Sequence, residues 1–120
     1  MLRKIRLELA RTAEKPNGDP AHGYEFTAPL TDDGHIDADG WRHHKAECTV
    51  LRFAPQDDDE HGHLIHTRGR KWAFHYDLDS EPEDDEPGYR FDQHVFREGE
   101  YVSITEHDGE TRPFRVVSVR

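Results

Sequence analysis

The sequence predicts an all-β, or at least β-dominated, domain: a small barrel or two-sheet sandwich of six to eight short strands with one short helix near residues 37–47. Apolar residues alternate with polar ones in several segments, as in half-buried strands. Turn-forming Gly, Pro and Asn residues separate these segments. Six Phe, four Tyr and two Trp supply large buried areas in a chain that is only 32% hydrophobic. An α+β fold, with the helix packed on one sheet, is the alternative.

The first two predicted strands are residues 3–11 and 23–30. The turn between them, at residues 15–20, contains an Asn-Gly pair that readily adopts positive φ. Each strand has one apolar face, formed by Ile5, Leu7 and Leu9 in the first and by Tyr24, Phe26 and Ala28 in the second. We expect both faces to contribute to the core.

A single helix is predicted, within residues 37–47. Asp37 can cap its first turn, Asp39 lies near the positive end of the helix dipole and Lys45 near the negative end. Ile36 and Trp41 have the spacing of a hydrophobic staple. Gly40 weakens the helix, so we expect two to three turns at most.

The middle of the chain returns to strand character. Residues 61–68 and 71–76 form a predicted hairpin that turns near Arg68-Gly69. In the preceding strand, one face is formed by Thr49, Leu51 and Phe53. In the second arm of the hairpin, one face is formed by Trp72, Phe74 and Tyr76. The segment from residue 77 to 88 is acidic, contains two prolines and has little apolar content, which predicts a mobile loop within a single domain spanning residues 1–120.

A final hairpin is predicted from two β-rich arms around Asp108-Gly109, at residues 101–106 and 111–120. A two-residue turn there pairs Ser103 with Phe114, yet Val117 then falls on the opposite face from Phe114. Either both faces of the hairpin are covered, or a bulge near Pro113 changes the alternation.

The charge and the cysteine content indicate which cellular compartment and which partners to expect. The net charge of −10 argues against general nucleic-acid affinity and favours, among protein partners, a basic protein surface. Cys48 is the single cysteine, so no internal disulfide forms, and no apolar stretch reaches the length of a membrane span. We therefore expect a cytoplasmic protein without membrane contact.

Ten histidines make the chain histidine-rich, and their full protonation would cancel its net charge of −10. The candidate metal ligands are His61, His63, His75 and Asp77. Residues two apart on a strand point to the same side, so His61 and His63 can share a divalent transition metal. A two-residue hairpin turn pairs His63 with Phe74, whereas a three-residue turn pairs it with His75 and brings Asp77 opposite His61.

Five short runs resemble a family of small bacterial proteins of about 120 residues and unknown function. They are His22-Gly-Tyr-Glu-Phe26, Gly34-His-Ile-Asp37, Gly62-His-Leu-Ile-His66, Trp72-Ala-Phe74 and Gly99-Glu-Tyr-Val-Ser-Ile104. The resemblance spans the whole chain and implies a bacterial, cytoplasmic, single-domain protein. It carries no catalytic role.

The sequence contains no phosphate-binding loop, dinucleotide fingerprint or Gly-x-Ser-x-Gly motif. The function it favours is therefore a non-catalytic binding or interaction module, with catalysis left open. The alternative is a small metal-binding protein or metalloenzyme built on the histidines of the 61–76 hairpin.

Overall fold

A computed structural model of the chain describes residues 2–67, 71–76, 86–89 and 94–120. Eight strands lie in these ranges: β1 (Leu2–Leu9), β2 (Asp19–Pro29), β3 (Thr49–Ala54), β4 (Asp57–Thr67), β5 (Lys71–Tyr76), β6 (Glu86–Tyr89), β7 (Tyr101–Thr105) and β8 (Thr111–Val119). A six-residue helix, α1 (Ala38–His43), and a 3₁₀ turn (Lys45–Glu47) connect β2 to β3.

The strands form one closed barrel in chain order. Each strand pairs antiparallel with the next, and β8 pairs back with β1. The predicted all-β class is confirmed, and the sheet is a barrel rather than a two-sheet sandwich. The α+β alternative is wrong: in the described residues the helical structure consists of α1 and the 3₁₀ turn alone. No helix among the residues described has the length and apolarity needed to cross a membrane.

Alternate residues of each strand point into the barrel and form its core. The largest fully buried side chains in the described part are aromatic or aliphatic: Tyr24, Tyr76, Phe26, Phe74, Phe114, Ile5, Leu7, Leu64, Ile104 and Val50. The Tyr24 ring centroid lies 5.1 Å from that of Phe114 and 5.2 Å from that of Phe74. An eight-stranded barrel encloses a space just wide enough for side chains, so these rings occupy its interior.

The predicted apolar faces of β1, β2 and β5 are buried as expected. In β3 the outcome differs, because Val50 and Arg52 point inward while Leu51 and Phe53 lie on the outer face. The Arg6 guanidinium carbon lies 4.6 Å from the centre of the Phe53 ring and covers part of it.

The connection between β2 and β3 covers one end of the barrel. Asp37 caps α1 as predicted, accepting a hydrogen bond from the Asp39 amide, but the helix ends at His43 and the 3₁₀ turn replaces its predicted last turn. The Trp41 indole Nε1 donates to the Leu64 carbonyl at 2.9 Å, and its ring packs edge-on against Trp72. This end of the barrel is therefore apolar and covered.

The final hairpin has a longer turn than predicted. Phe114 pairs with Val102, so residues 106–110 form the connection, and the Glu106 amide donates to the Glu110 carbonyl. The two-residue turn at Asp108-Gly109 is thus wrong, although Gly109 does have a positive φ of 84°. The change in alternation lies at Val117, where β8 shifts register against β1, and not near Pro113.

The predicted acidic loop at residues 77–88 falls mostly on residues 77–85, which lie outside the described residues. Its last three residues belong to β6, which begins at Glu86 and pairs with β5 and β7.

Candidate functional site

The end of the barrel opposite α1 is polar. Strands β2 and β8 begin at this end, and β3 and β7 finish at it. Each of these four strands has a row of inward-facing side chains, and the row's last residue at this end is ionisable. The rows are His22-Tyr24-Phe26, Val50-Arg52, Val102-Ile104-Glu106 and Arg112-Phe114-Val116. We call His22, Tyr24, Arg52, Glu106 and Arg112 the Glu106 cluster.

The Glu106 carboxylate lies at the centre of this cluster, with its side chain only 1% exposed. Oε2 accepts hydrogen bonds from the Tyr24 hydroxyl at 2.7 Å and from Arg52 Nη2 at 3.1 Å, and Oε1 accepts one from Arg112 Nη1 at 3.1 Å. His22 Nε2 lies 2.9 Å from Oε1 and 3.0 Å from Oε2. Because an ionised carboxylate can only accept, the His22 imidazole donates from Nε2.

Burial alone would raise the pKa of Glu106. The hydrogen bonds from His22 and Tyr24, together with the charges of His22 and Arg52, outweigh it and lower the pKa from 4.5 to about 2. The carboxylate is therefore a fixed negative charge at any ordinary pH. A group of this kind fixes the position of cations and donors, and it does not exchange protons near neutrality.

The two arginines connect this buried charge to the surface. Arg52, itself buried, extends from Glu106 toward Asp57 at 3.4 Å and Glu60 at 3.6 Å. Arg112 contacts Asp108 through both terminal nitrogens, at 2.8 and 3.0 Å. The Arg112 guanidinium lowers the pKa of Asp108 to about 2, mainly through these hydrogen bonds.

A pocket of about 300 Å³ opens above the cluster, and we call it the mouth pocket. Its walls come from residues 54–57 of the β3–β4 turn and from Lys15, Asp19 and Asp108, and its floor contains Glu106, His22 and the two arginines. Four carboxylates line it, those of Asp19, Asp57, Glu106 and Asp108, beside three permanent cations, Lys15, Arg52 and Arg112. The lining of the pocket therefore carries a small net negative charge.

This site was not among the sequence predictions, although the sequence contains a signal for it. Glu106 stands two residues beyond Ile104 and His22 two residues before Tyr24, so each continues a row that points into the barrel. Arg52 follows Val50 in the same way. It was not predicted to point inward, because the opposite face of the strand, with Leu51 and Phe53, is the more apolar one. Ionisable residues at inward positions near strand ends are the pattern that identifies such a cluster.

Three of the four predicted metal ligands, His61, His63 and His75, lie elsewhere, on the outer face of β4 and β5. His63 pairs directly with His75, and Thr67 pairs with Lys71, so the three-residue connection is the one observed and the two-residue alternative is wrong. His61 is exposed and pairs with Leu51 on the other side. Asp77 lies outside the described residues, and within those residues no group of three or more His, Cys, Asp or Glu side chains is arranged to hold a metal ion.

No protein-family model matches this chain, and neither a curated protein nor a solved structure shows significant similarity to it.

Proposed function

We propose that this protein is a non-catalytic binding module whose mouth pocket takes a positively charged group, an ammonium or a guanidinium. The observation that carries the proposal is a permanently ionised, buried carboxylate at the floor of an open pocket whose walls add further carboxylates. Each of these carboxylates is paired with Lys15, Arg52 or Arg112, and a cation entering the pocket would share their remaining acceptor positions. The same chemistry is available on a small amine and on the basic surface of a partner protein.

The properties of the ionisable groups support binding rather than proton transfer. The pKa of Glu106 lies too far below neutrality for a general base. The thiol of Cys48 is buried, and its pKa is raised to about 11 by that burial and by the charge of Glu47, so it is a poor nucleophile. A cytoplasmic location, a bacterial origin and membership of the small bacterial family remain parts of this proposal, with the single reduced cysteine as support for the location.

The test is an NMR titration of ¹⁵N-labelled protein with butylguanidinium and with butanol, which has a similar alkyl chain without the charge. We expect butylguanidinium alone to shift the amide signals of residues 56, 57 and 107–109 around the pocket. Asp57→Asn removes one exposed wall carboxylate and should weaken binding about threefold, since exposed ion pairs contribute below about 1 kcal/mol. Asp58→Asn is the matched control, because Asp58 is an exposed neighbour that does not line the pocket.

A lysine-containing pentapeptide distinguishes the two sources of the cation. Tighter binding of the peptide than of butylguanidinium indicates a protein partner, and equal or weaker binding indicates a small amine. Equal shifts with butanol and butylguanidinium, or equal weakening by Asp57→Asn and Asp58→Asn, would contradict the proposal.

Metal binding is a second candidate function, favoured by the observed register of His63 opposite His75. Side chains of directly paired residues in antiparallel strands lie about 5 Å apart, which suits two imidazoles on one metal ion. Titration with Zn²⁺ or Ni²⁺ followed by calorimetry tests it. His43, an exposed histidine of α1, provides the control. Stoichiometric binding that is lost in His63→Ala and kept in His43→Ala supports a metal site. Equal binding in both variants would contradict it.

A further inference from the structure

A second concave surface lies on the outer wall of the barrel, and its charged lining residues are two arginines and two carboxylates, Arg11, Arg115, Glu8 and Asp19. It is a groove of about 480 Å³ over β1, β7 and β8, lined by Tyr101, Arg115, Arg11, Val117 and Ala10 among others. We call it the Tyr101 groove. Its opposite wall comes from Asn17, Asp19 and Pro20 of the β1–β2 connection.

Tyr101 is unusual for its position. It is 57% exposed, and among the residues described it is the one large hydrophobic side chain left open to solvent. In the sheet it pairs directly with Arg115, which in turn pairs with Glu8 on β1. The Cβ atoms of directly paired residues lie about 5 Å apart, so the Tyr101 and Arg115 side chains leave the sheet side by side on its outer surface.

The arginines of the groove are not engaged by the protein itself. Arg11 and Arg115 are both exposed, and neither has an ion pair or side-chain hydrogen bond within the ranges that the structure describes. The carboxylates of the groove are already paired: Glu8 lies 2.8 Å from Arg6, and Asp19 lies 3.6 Å from Lys15 and accepts from the Ala21 amide. The groove therefore presents two open guanidinium groups on a chain whose net charge is −10.

We infer that the Tyr101 groove binds a small organic anion in which a carboxylate or phosphate is attached to a flat, unsaturated ring. A guanidinium donates paired hydrogen bonds to a carboxylate or phosphate, and a phenol ring offers a face on which a second ring stacks. The adjacency of Tyr101 and Arg115 matches a ligand that carries both features side by side. The volume of about 480 Å³ is within the usual range of about 300–1,000 Å³ for small-molecule sites.

This inference does not depend on the proposed cation site. The two surfaces share only Asp19, and their ligands have opposite charge, so either proposal can fail while the other stands.

The test is an NMR titration with phenyl phosphate, against benzyl alcohol (a ring without charge) and inorganic phosphate (charge without a ring). We expect phenyl phosphate to shift the amide signals of residues 10, 11, 101 and 115–117 and to bind at least fivefold more tightly than either comparison compound. Arg115→Gln and Arg11→Gln should each weaken binding about fivefold, and Tyr101→Leu should remove the preference over inorganic phosphate.

Arg97→Gln is the matched control, since Arg97 is an exposed arginine in a different surface groove. All four substitutions are at exposed positions, and circular dichroism confirms folding before titration. Equal weakening by Arg97→Gln, or equal affinity for inorganic phosphate, would reduce the effect to general charge attraction and overturn the inference. Phenyl phosphate shifts confined to residues 56, 57 and 107–109 would overturn it as well.

Discussion

Replacing Glu106 by glutamine removes the charge at the centre of the buried cluster while keeping the size of the side chain. The buried guanidinium of Arg52, with a side chain only 6% exposed, then loses its one fully buried counter-charge in the described structure. Breaking a buried ion pair from one side costs about 3–5 kcal/mol. The lowering of the Glu106 pKa from 4.5 to about 2 gives a consistent figure of about 3 kcal/mol.

The contribution of Glu106 to the free energy of unfolding depends on pH. The pKa of Glu106 is lower in the folded protein than its ordinary value, so its contribution is fully present above pH 4.5 and is lost as pH falls toward about 2. Between pH 7 and pH 3 the wild-type protein should lose about 2 kcal/mol of this contribution, and Glu106→Gln should lose none of it. The difference in stability between the two proteins therefore narrows in acid.

Urea unfolding followed by tryptophan fluorescence, at pH 7 and at several lower pH values, measures both quantities. Glu98→Gln is the matched control, because Glu98 is exposed and lies outside the cluster. Its unfolding midpoint should stay close to that of the wild-type protein. A loss below about 1 kcal/mol for Glu106→Gln at pH 7, or a loss that stays the same down to pH 3, would refute the assignment of a buried ionised carboxylate.

Three further predictions concern other parts of the molecule. Cys48 should react with a disulfide reagent only at the rate of unfolding, because its thiol is buried and its pKa is raised to about 11; rapid reaction of the folded protein would contradict this. Trp41→Phe should reduce stability by about 1–2 kcal/mol in urea unfolding, through loss of the hydrogen bond to Leu64, and should leave butylguanidinium binding at the opposite end unchanged. Solubility should fall between pH 7 and pH 5.5, because protons bound in this range reduce the net charge of −10, and a flat solubility curve would be the contrary result.

Much of the barrel could be predicted from the sequence because the signals are local. Alternation in Ile5, Leu7 and Leu9 fixes which face of β1 is buried, and Asp37 marks the start of α1. These features depend on residues within a few positions of one another, so neighbouring sequence is sufficient to identify them.

The orientation of β3 depends on the rest of the barrel. Leu51 and Phe53 make one face of the strand the more apolar, yet the register with β2 turns Val50 and Arg52 inward. Arg52 can be buried only because Glu106, 54 residues away in the chain, meets it at the same end. The inward positions of His22 and Glu106 follow from the alternation of their own strands, but the inward position of Arg52 and the meeting of these side chains depend on contacts between distant parts of the chain.

The register of each hairpin was also undetermined by local sequence. The pairing of His63 with His75 corresponds to one of two turn lengths that the sequence allows. In the final hairpin, a five-residue connection rather than the expected two-residue turn keeps Phe114 opposite Val102. It also places Glu106, the first residue of that connection, directly above the core.

In this structure Glu106 is ionised and enclosed at the mouth of the barrel. The most direct measurement is a ¹³C NMR titration of its side-chain carboxyl group between pH 7 and pH 3. We predict that the Glu106 signal stays near its ionised position down to about pH 3, consistent with a pKa of about 2. A midpoint near 4.5, the ordinary value for glutamate, would show that the carboxylate is in solvent and would contradict both the cluster and the proposed binding of a cation above it.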